Sequence, residues 1–127
     1  METITPWLPV EGTDVELFLE TVSRRVNGVL HATLSIGMAA PRTLVVNFSA
    51  AVAFRVSPRD IHMGKPWWGT VTPGSMFEVH GSEYREWLYE QSLEIYDAPY
   101  RHFMLITVDG CLDVLTTEEP EAHWLVA

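Results

Sequence analysis

The chain is 127 residues long, and 47% of its residues are hydrophobic and 20% are charged. These values predict one domain over residues 1–127 and exclude a disordered or collagen-like chain, because most domains have about 100–150 residues and a substantial apolar fraction. The formal net charge of −9 disfavours nucleic acid and an anionic membrane surface as partners, because both are negatively charged themselves.

The first predicted element is ambiguous between a helix and a strand. Apolar residues recur at helical spacing over residues 14–26. Asn27-Gly28 would end such a helix, but it is also a typical hairpin turn. Residues 20–26 are therefore also a candidate strand, which would pair with residues 29–36.

Three β-strands are predicted next. Hydrophobic residues alternate with polar or small ones over residues 29–36, 44–48 and 52–56, which is the period of a half-buried strand. A loop rich in proline and glycine follows over residues 57–75 and is longer than most irregular connections. It contains Trp67-Trp68, whose side chains point in opposite directions if the segment is extended.

A short strand and an acidic helix are predicted after this loop. Residues 76–80 form the strand, and Ser82 is a typical N-cap for a helix through Ser92. One face of this helix carries Trp87, which we expect to lie in the core. The opposite face and the residues after it carry an acidic series: Glu83, Glu86, Glu90, Glu94 and Asp97.

Two strongly apolar strands complete the predicted fold. Residues 101–108 suit a strand buried on both faces, Asp109-Gly110 suits a hairpin turn, and residues 111–115 suit the returning strand. Pairing about a two-residue turn puts Ile106 opposite Asp113, and the remaining residues are expected to form a short tail. The element order predicts an α+β domain, mainly an antiparallel sheet with one or two helices packed on it.

Negative charge is concentrated in the C-terminal part of the sequence. Residues 1–74 hold six acidic and six basic residues, whereas residues 75–127 hold eleven acidic residues and only two basic ones, Arg85 and Arg101. Complementary charge speeds the encounter of two proteins and orients them. This excess indicates either a docking face for a basic partner or a solvated acidic surface.

The number of cysteines and the N-terminal residues predict the cellular compartment of the protein. Cys111 is the only cysteine, so a disulfide within the chain is impossible and a reducing compartment, the cytoplasm, is expected. Met1 is followed by Glu2 rather than by basic residues, so we expect no secretory signal peptide. The sequence has no apolar run near the roughly 20 residues that span a bilayer.

Neither a catalytic motif nor a metal-binding motif is evident. Metal sites use His, Cys or carboxylate residues at short spacing, and the five histidines form no HxH or HxxxH pair. A nucleophilic Cys111 would need a nearby base, and the predicted hairpin keeps His102 away from it. We therefore expect no enzyme activity, no metal and no cofactor.

A set of residues in the C-terminal part forms a recognisable pattern: Ser82-Glu83-Tyr84, Trp87, Glu90-Gln91-Ser92, Ile95-Tyr96-Asp97, His102-Phe103, Asp109, Cys111, Asp113-Val114-Leu115 and Pro120. This pattern resembles one in short bacterial proteins of unknown function, a resemblance that implies no activity. In size and acidity the chain is also similar to the immunity proteins that neutralise bacterial toxins. That similarity implies a protein-binding role and assigns no functional residue.

The first functional hypothesis is a non-enzymatic domain of immunity or inhibitor type. It would bind and occlude a basic protein, such as a toxin nuclease, through its acidic C-terminal part. Adjacent tryptophans in a loop would support such an interface, because Trp is enriched among residues that dominate binding. The predicted partner-binding residues are Glu83, Glu86, Glu90, Glu94, Asp97, Trp67 and Trp68.

Two alternatives belong to other functional classes. The protein could bind a small molecule or a peptide, or be an enzyme with a weak sequence signal, using a pocket between the sheet and the 57–75 loop. His80, His102 and Tyr100 would then line the pocket together with the loop tryptophans. The chain could also form a homodimer in which residues 103–106 pair with a second copy.

Overall fold

Nine strands and one α-helix are present in the computed structural model, which describes residues 1–13, 15–36, 42–71 and 76–125. The strands form two antiparallel sheets, which confirms the predicted α+β class. In chain order, the elements are β1 (Thr3–Pro6), β2 (Leu17–Arg24), β3 (Leu30–Ile36), β4 (Arg42–Phe48), β5 (Ala51–Ser57), β6 (Met76–His80), α1 (Glu83–Gln91), β7 (Arg101–Ile106), β8 (Cys111–Thr116) and β9 (Glu121–Trp124).

The main core lies between the two sheets. The first sheet has the order β1-β6-β7-β8-β5, and the second has the order β2-β3-β4-β9. Leu34 and Val46 of the second sheet share one cluster of buried residues with Phe103 and Leu112 of the first. Removing these side chains from water is the main favourable contribution to folding.

The outer face of the first sheet carries a second, smaller apolar cluster. It is formed by side chains such as Met104 and Ile106, which point away from the main core because neighbouring residues of a strand face opposite sides. The connection from β5 to β6 packs on this cluster with the half-buried Trp67 and Trp68. Helix α1 contributes Tyr84, its only buried residue, near the same face.

Two segments differ from their predicted structures. The segment over residues 14–26 contains the strand β2, which pairs with β3, so the helical alternative is wrong. Residue 14 itself lies outside the described residues. The predicted tail contains β9, which pairs with β4. Short helices are marginal by themselves, so an amphipathic segment beside a hairpin turn gains more by pairing with the next strand.

β5 is confirmed as a strand, and it turns the chain from one sheet to the other. After Ser49-Ala50 it pairs with β8 of the first sheet and not with β4. As an edge strand it leaves Phe54 and Val56 exposed. Between them, Arg55 is the cross-strand partner of Asp113 and lies on the outer face of the first sheet.

The hairpin from β7 to β8 has a different register from the predicted one. Met104 pairs with Asp113, whereas a turn centred on Asp109-Gly110 would put Ile106 opposite that aspartate. Thr107 donates to the carbonyl oxygen of Gly110 through both its backbone N–H and its hydroxyl, so the turn is centred on Val108-Asp109 and not on Asp109-Gly110. The predicted pairing is therefore wrong by two residues of β7, and Asp113 lies nearer the start of that strand.

β7 is buried on both faces, as predicted, with Phe103, Met104, Leu105 and Ile106 at most 1% exposed. Both of its edges are also occupied, because β6 and β8 pair with it. Residues 103–106 therefore have no free edge for a second copy of the chain, and this part of the homodimer hypothesis is wrong.

Helix α1 begins and ends where the sequence predicts. Oγ of Ser82 caps it by accepting from the backbone N–H of Arg85, and Ser92 is its C-cap. The predicted core position of Trp87 is wrong, since this side chain is 53% exposed. In the described ranges there is no helix with both the length and the apolar character needed to cross a membrane.

Gly81 joins β6 to α1, and its substitution tests this junction. Its φ is +65°, and a Cβ there would lie 2.8 Å from the carbonyl oxygen of Met1. We expect Gly81→Ala to lower the free energy of unfolding in urea by about 1–2 kcal/mol for the left-handed backbone, with a further loss from the contact with Met1.

Gly28→Ala is the matched control, because Gly28 has a φ of +86° and nothing lies within 4 Å of its Cβ. Gly28→Ala should lower the free energy of unfolding only by the part that comes from the left-handed backbone. Equal losses in the free energy of unfolding would show that the contact with the carbonyl oxygen of Met1 does not destabilise Gly81→Ala.

Candidate functional site

The candidate site is built around Asp113, a fully buried residue near the middle of β8. A carboxylate is very unfavourable in an apolar interior unless other groups bond to its oxygens. Here the side chains come from β5, from the β5–β6 connection, from β7 and from β8 itself: Arg55, His62, His102 and Cys111.

One oxygen of Asp113 is held tightly. Oδ1 lies 2.6 Å from Nε2 of His102, and Nδ1 of the same ring lies 2.7 Å from Oγ of Ser82. A carboxylate only accepts, so Nε2 carries the proton; in the neutral imidazole, Ser82 then donates to Nδ1. Ser82 also accepts from the N–H of Arg85 at 3.1 Å. A continuous chain of hydrogen bonds therefore joins the buried carboxylate to the start of α1.

The other oxygen of Asp113 has three longer contacts. Oδ2 lies 3.3 Å from Nε of Arg55, 3.3 Å from Nε2 of His62 and 3.7 Å from Sγ of Cys111. Hydrogen bonds from nitrogen to oxygen are usually about 2.7–3.2 Å long. Oδ2 is therefore surrounded by polar groups but is held less tightly than Oδ1.

The environment fixes the charge on two of these groups. Burial acts to raise the pKa of Asp113, but the hydrogen bonds from His102 and His62 outweigh it, and the net pKa is well below its ordinary value. Burial raises the pKa of the Cys111 thiol, and the charge of Asp113 raises it further. The carboxylate is therefore ionised, whereas the thiol keeps its proton and is a poor nucleophile.

Aromatic rings enclose the site. The ring of Tyr84 packs edge-on against His102, with 5.7 Å between centroids, and lies 4.1 Å from the guanidinium of Arg55. Trp67 packs against His62, and its indole Nε1–H is buried with no acceptor among the described residues. Arg55 is the most exposed member of the site, with 41% of its side chain accessible.

The order Ser82–His102–Asp113 repeats the order of hydrogen bonds in serine hydrolases. The serine of such an enzyme must reach the carbonyl group of a substrate. Ser82 is only 5% exposed, and its Oγ already caps α1. The arrangement therefore fixes the position of the helix and does not present a nucleophile.

The structure places most of the predicted acidic series on the exposed side of α1 and just after it. Glu83 pairs with Lys65. The other members are exposed and form no ion pair with a residue of the described ranges: Glu86, Glu90, Glu94 and Asp97.

Other acidic residues of the C-terminal part are engaged elsewhere. Two hydrogen bonds from Arg101, each 2.8 Å long, lower the pKa of Glu78 against the opposing effect of burial. Oδ1 of Asp109 accepts from the backbone N–H of Leu19, and Asp113 is buried. The acidic excess is therefore not one continuous face, and its unpaired part is concentrated at α1.

Only some of the predicted loop tryptophans and pocket residues lie on the same face of the sheet. Trp67 and Trp68 cover the outer face of the first sheet. His102 lies on that face, but His80 follows Val79, the cross-strand partner of His102, and so lies on the opposite face. His80 is exposed and contacts Thr5. Tyr100 is half-buried just before β7.

Sequence reasoning missed Asp113, Ser82, Arg55 and His62 as members of one site. One signal was available, because Asp113 is a charged residue within an apolar run, and buried aspartates are rare unless they are paired. Its partners could not be identified, because the predicted hairpin register put Asp113 too far from His102.

Comparisons of the chain with protein-family models, with curated proteins and with solved structures find no match in any of the three. The resemblances to short bacterial proteins and to immunity proteins therefore stay predictions. What can be inferred about function depends on the contacts within this chain.

Substitution of Asp113 tests whether its charge organises the site. We expect Asp113→Asn to lower the free energy of unfolding by about 2–3 kcal/mol, because the amide cannot accept at both positions and a buried N–H of His102 or His62 loses its charged acceptor. Asp97→Asn makes the same chemical change at an exposed position and should stay within about 0.5 kcal/mol. A similarly small loss for Asp113→Asn in urea unfolding would contradict this role.

Proposed function

We propose that this protein binds a basic protein partner through the exposed side of α1 and the residues that follow it, and that binding occludes the partner. The surface, here called the acidic helix surface, comprises Glu86, Trp87, Glu90, Leu93, Glu94, Ile95, Tyr96 and Asp97. The observation that carries the proposal is the coincidence of unpaired carboxylates and exposed large apolar side chains on this one segment.

The apolar part of the acidic helix surface is unusually exposed. Trp87 is 53% accessible and Tyr96 43%, and the aliphatic Leu93 and Ile95 reach 85% and 78%. Large apolar side chains grouped among polar ones mark interaction surfaces, and tryptophan and tyrosine often contribute most of the binding energy. These four side chains would become buried against a partner.

The charge on this surface favours a cationic partner. The C-terminal end of a helix carries a partial negative charge, which basic side chains usually offset. The last turn of α1 has no basic residue, and Glu90, Glu94 and Asp97 add negative charge there. Burial and the charges of Glu94 and Asp97 raise the pKa of Tyr89. A lysine or arginine of the partner would relieve this repulsion.

A hollow beside α1 suits such a cationic side chain. Its volume is about 210 Å³, and its lining comprises Arg85, Glu86, Tyr89, Tyr96 and Asp97. Its two carboxylates can accept charge-assisted hydrogen bonds from a cation, and they outnumber the one guanidinium in the lining, that of Arg85. A guanidinium nitrogen of Arg85 lies 3.4 Å from the carbonyl oxygen of Ala98 and donates to it.

Backbone strain lies within the acidic helix surface. Leu93 and Glu94 both have positive φ values, 53° and 68°, which are unfavourable for residues with a Cβ. Here the left-handed backbone ends the helix, because the N–H of Glu94 donates to the carbonyl oxygen of Tyr89 at 2.9 Å. This ending leaves the side chains of Leu93 and Glu94 exposed, so both are accessible to a partner.

The class of partner follows from these features. A cationic protein whose own ligand is an anion, such as a bacterial toxin nuclease, matches the charge and apolar character of the acidic helix surface. We place the encounter in a reducing compartment, the cytoplasm, in accordance with the single cysteine. The small-molecule alternative has less support, because His80 and His102 lie on opposite faces of the sheet.

The proposal can be tested by capture with three baits from a lysate of the source organism, followed by quantitative mass spectrometry. The baits are the wild type, the variant Glu86→Gln/Glu90→Gln/Glu94→Gln, and a control that removes the same charge from exposed residues elsewhere, Glu11→Gln/Glu16→Gln/Glu121→Gln. We expect a basic protein bound by the wild type and the control but lost from the first variant.

Association and dissociation rates measured with the captured protein give a second test. The first variant should associate about tenfold more slowly at low salt and show a weaker salt dependence. Trp87→Ala should mainly speed dissociation and lower the binding free energy by about 2 kcal/mol. Because its ring packs on Tyr84, with 5.9 Å between centroids, the melting temperature of the variant is measured as well. Equal binding by both triple variants would show that the acidic helix surface is not the interface.

A further inference from the structure

The loosely held side of Asp113 has the spacing of a metal coordination sphere. Nε2 of His62, Sγ of Cys111 and a carboxylate oxygen of Asp113 all lie within 4.8 Å of one another, and all three residues are buried. Oδ2 is 3.3 Å from the nitrogen and 3.7 Å from the sulfur. Both contacts are long for hydrogen bonds to a buried carboxylate, whereas the contact of Oδ1 with His102 is short.

These separations match the edges of a zinc tetrahedron. Zinc is bound by nitrogen or oxygen at about 2.0–2.2 Å and by sulfur at about 2.3 Å, which separates tetrahedral ligand atoms by about 3.3–3.7 Å. Two of the three edges therefore already have the required lengths. The third edge, from Nε2 of His62 to Sγ of Cys111, is no longer than 4.8 Å and has to reach about 3.5 Å when the ion binds.

We propose that His62, Cys111 and Asp113 form a site for one zinc-class divalent metal ion, bound through Nε2, Sγ and Oδ2. Imidazole, thiolate and carboxylate together favour zinc over calcium or magnesium, which prefer oxygen ligands alone. On binding, the thiol proton of Cys111 passes to solvent, and the imidazole of His62 adopts the tautomer with its proton on Nδ1, which frees Nε2 for the ion. One thiolate and one carboxylate then balance the two positive charges of the ion. The fourth position is left for water.

The neighbouring groups support this geometry. Metal-bound carboxylates usually have their second oxygen hydrogen-bonded, which orients them. Nε2 of His102 does this for Oδ1 of Asp113 at 2.6 Å, and Ser82 holds the far side of the same ring. Asp113 therefore presents Oδ2 to His62 and Cys111 in a fixed orientation.

Arg55 is the one group that opposes a cation here. Its Nε lies 3.3 Å from Oδ2 of Asp113, but 41% of its side chain is accessible and its guanidinium lies on the ring of Tyr84. It can withdraw towards solvent, but it then loses its contacts with Asp113 and with the buried ring of Tyr84. Arg55→Gln should therefore tighten metal binding, an effect that a purely structural ion pair would not produce.

A bound ion would link His62, on the connection between β5 and β6, to the strand β8. This connection also carries Trp67 and Trp68, which cover the outer face of the first sheet. The metal site therefore stabilises a different region from the acidic helix surface, and the proposal does not depend on the proposed partner.

The test is titration of the full chain, free of affinity tags and pretreated with a chelator, with Co²⁺ and then Zn²⁺. We expect one ion per chain, visible-region absorption typical of tetrahedral Co²⁺, and near-ultraviolet absorption from a thiolate–cobalt bond. Because the chain has a single cysteine, the thiolate signal can come only from Cys111. Zn²⁺ should bleach the spectrum and raise the melting temperature.

Variants separate this site from adventitious binding. Cys111→Ser and His62→Gln should abolish the cobalt spectrum and weaken Zn²⁺ binding by more than the about 10–100-fold typical of losing a supporting hydrogen bond. His80→Gln, at an exposed histidine outside the site, should bind like the wild type. The proposal is overturned if the wild type gives no thiolate signal, or if the two ligand variants bind Zn²⁺ as tightly as His80→Gln. The wild-type spectrum decides the question even if a variant fails to fold.

Discussion

A carboxylate in the middle of a buried sheet face is the constraint on which the rest of the structure depends. Asp113 cannot stay ionised there unless polar groups reach it, and each group that does so brings its own element of structure. Arg55 ties the edge strand β5 to β8, His62 fixes the connection that follows, and His102 holds the neighbouring strand β7. Three elements far apart in sequence are positioned by one side chain.

The same constraint positions the proposed binding surface. Helix α1 has nine residues and buries only Tyr84, so packing alone anchors it weakly. Its first turn is fixed instead by Ser82, whose hydroxyl contacts both the helix amide and His102. The acidic helix surface thus has a defined position because its first turn is connected to a buried charge. One chain of hydrogen bonds, through His102 and Ser82, thus connects the buried Asp113 to the helix that carries this surface.

Sequence patterns predicted elements better than contacts between them. Alternation predicted β3, a continuous apolar run predicted β7, and Ser82 predicted the start of α1, because each of these signals is local. The site was not predicted because its contacts depend on the register between β7 and β8 and on the path of the β5–β6 connection. A turn centred on Val108-Asp109 instead of Asp109-Gly110 brings Asp113 towards His102. His62 lies in an irregular connection, whose path over the sheet has no periodic signal.

The contacts of the two oxygens of Asp113 have different physical explanations. The short bond between Oδ1 and His102 continues to Ser82 and α1, so it has a clear structural purpose. The contacts of Oδ2 also join β5 and the β5–β6 connection to β8, but replacing a buried ion pair with apolar residues of similar volume is often neutral or stabilising. Arginine, histidine and cysteine around one buried oxygen are therefore an inefficient way to stabilise a fold. The proposed metal site explains His62 and Cys111, since imidazole and thiolate are donors that zinc prefers, whereas Arg55 has to move away from the ion.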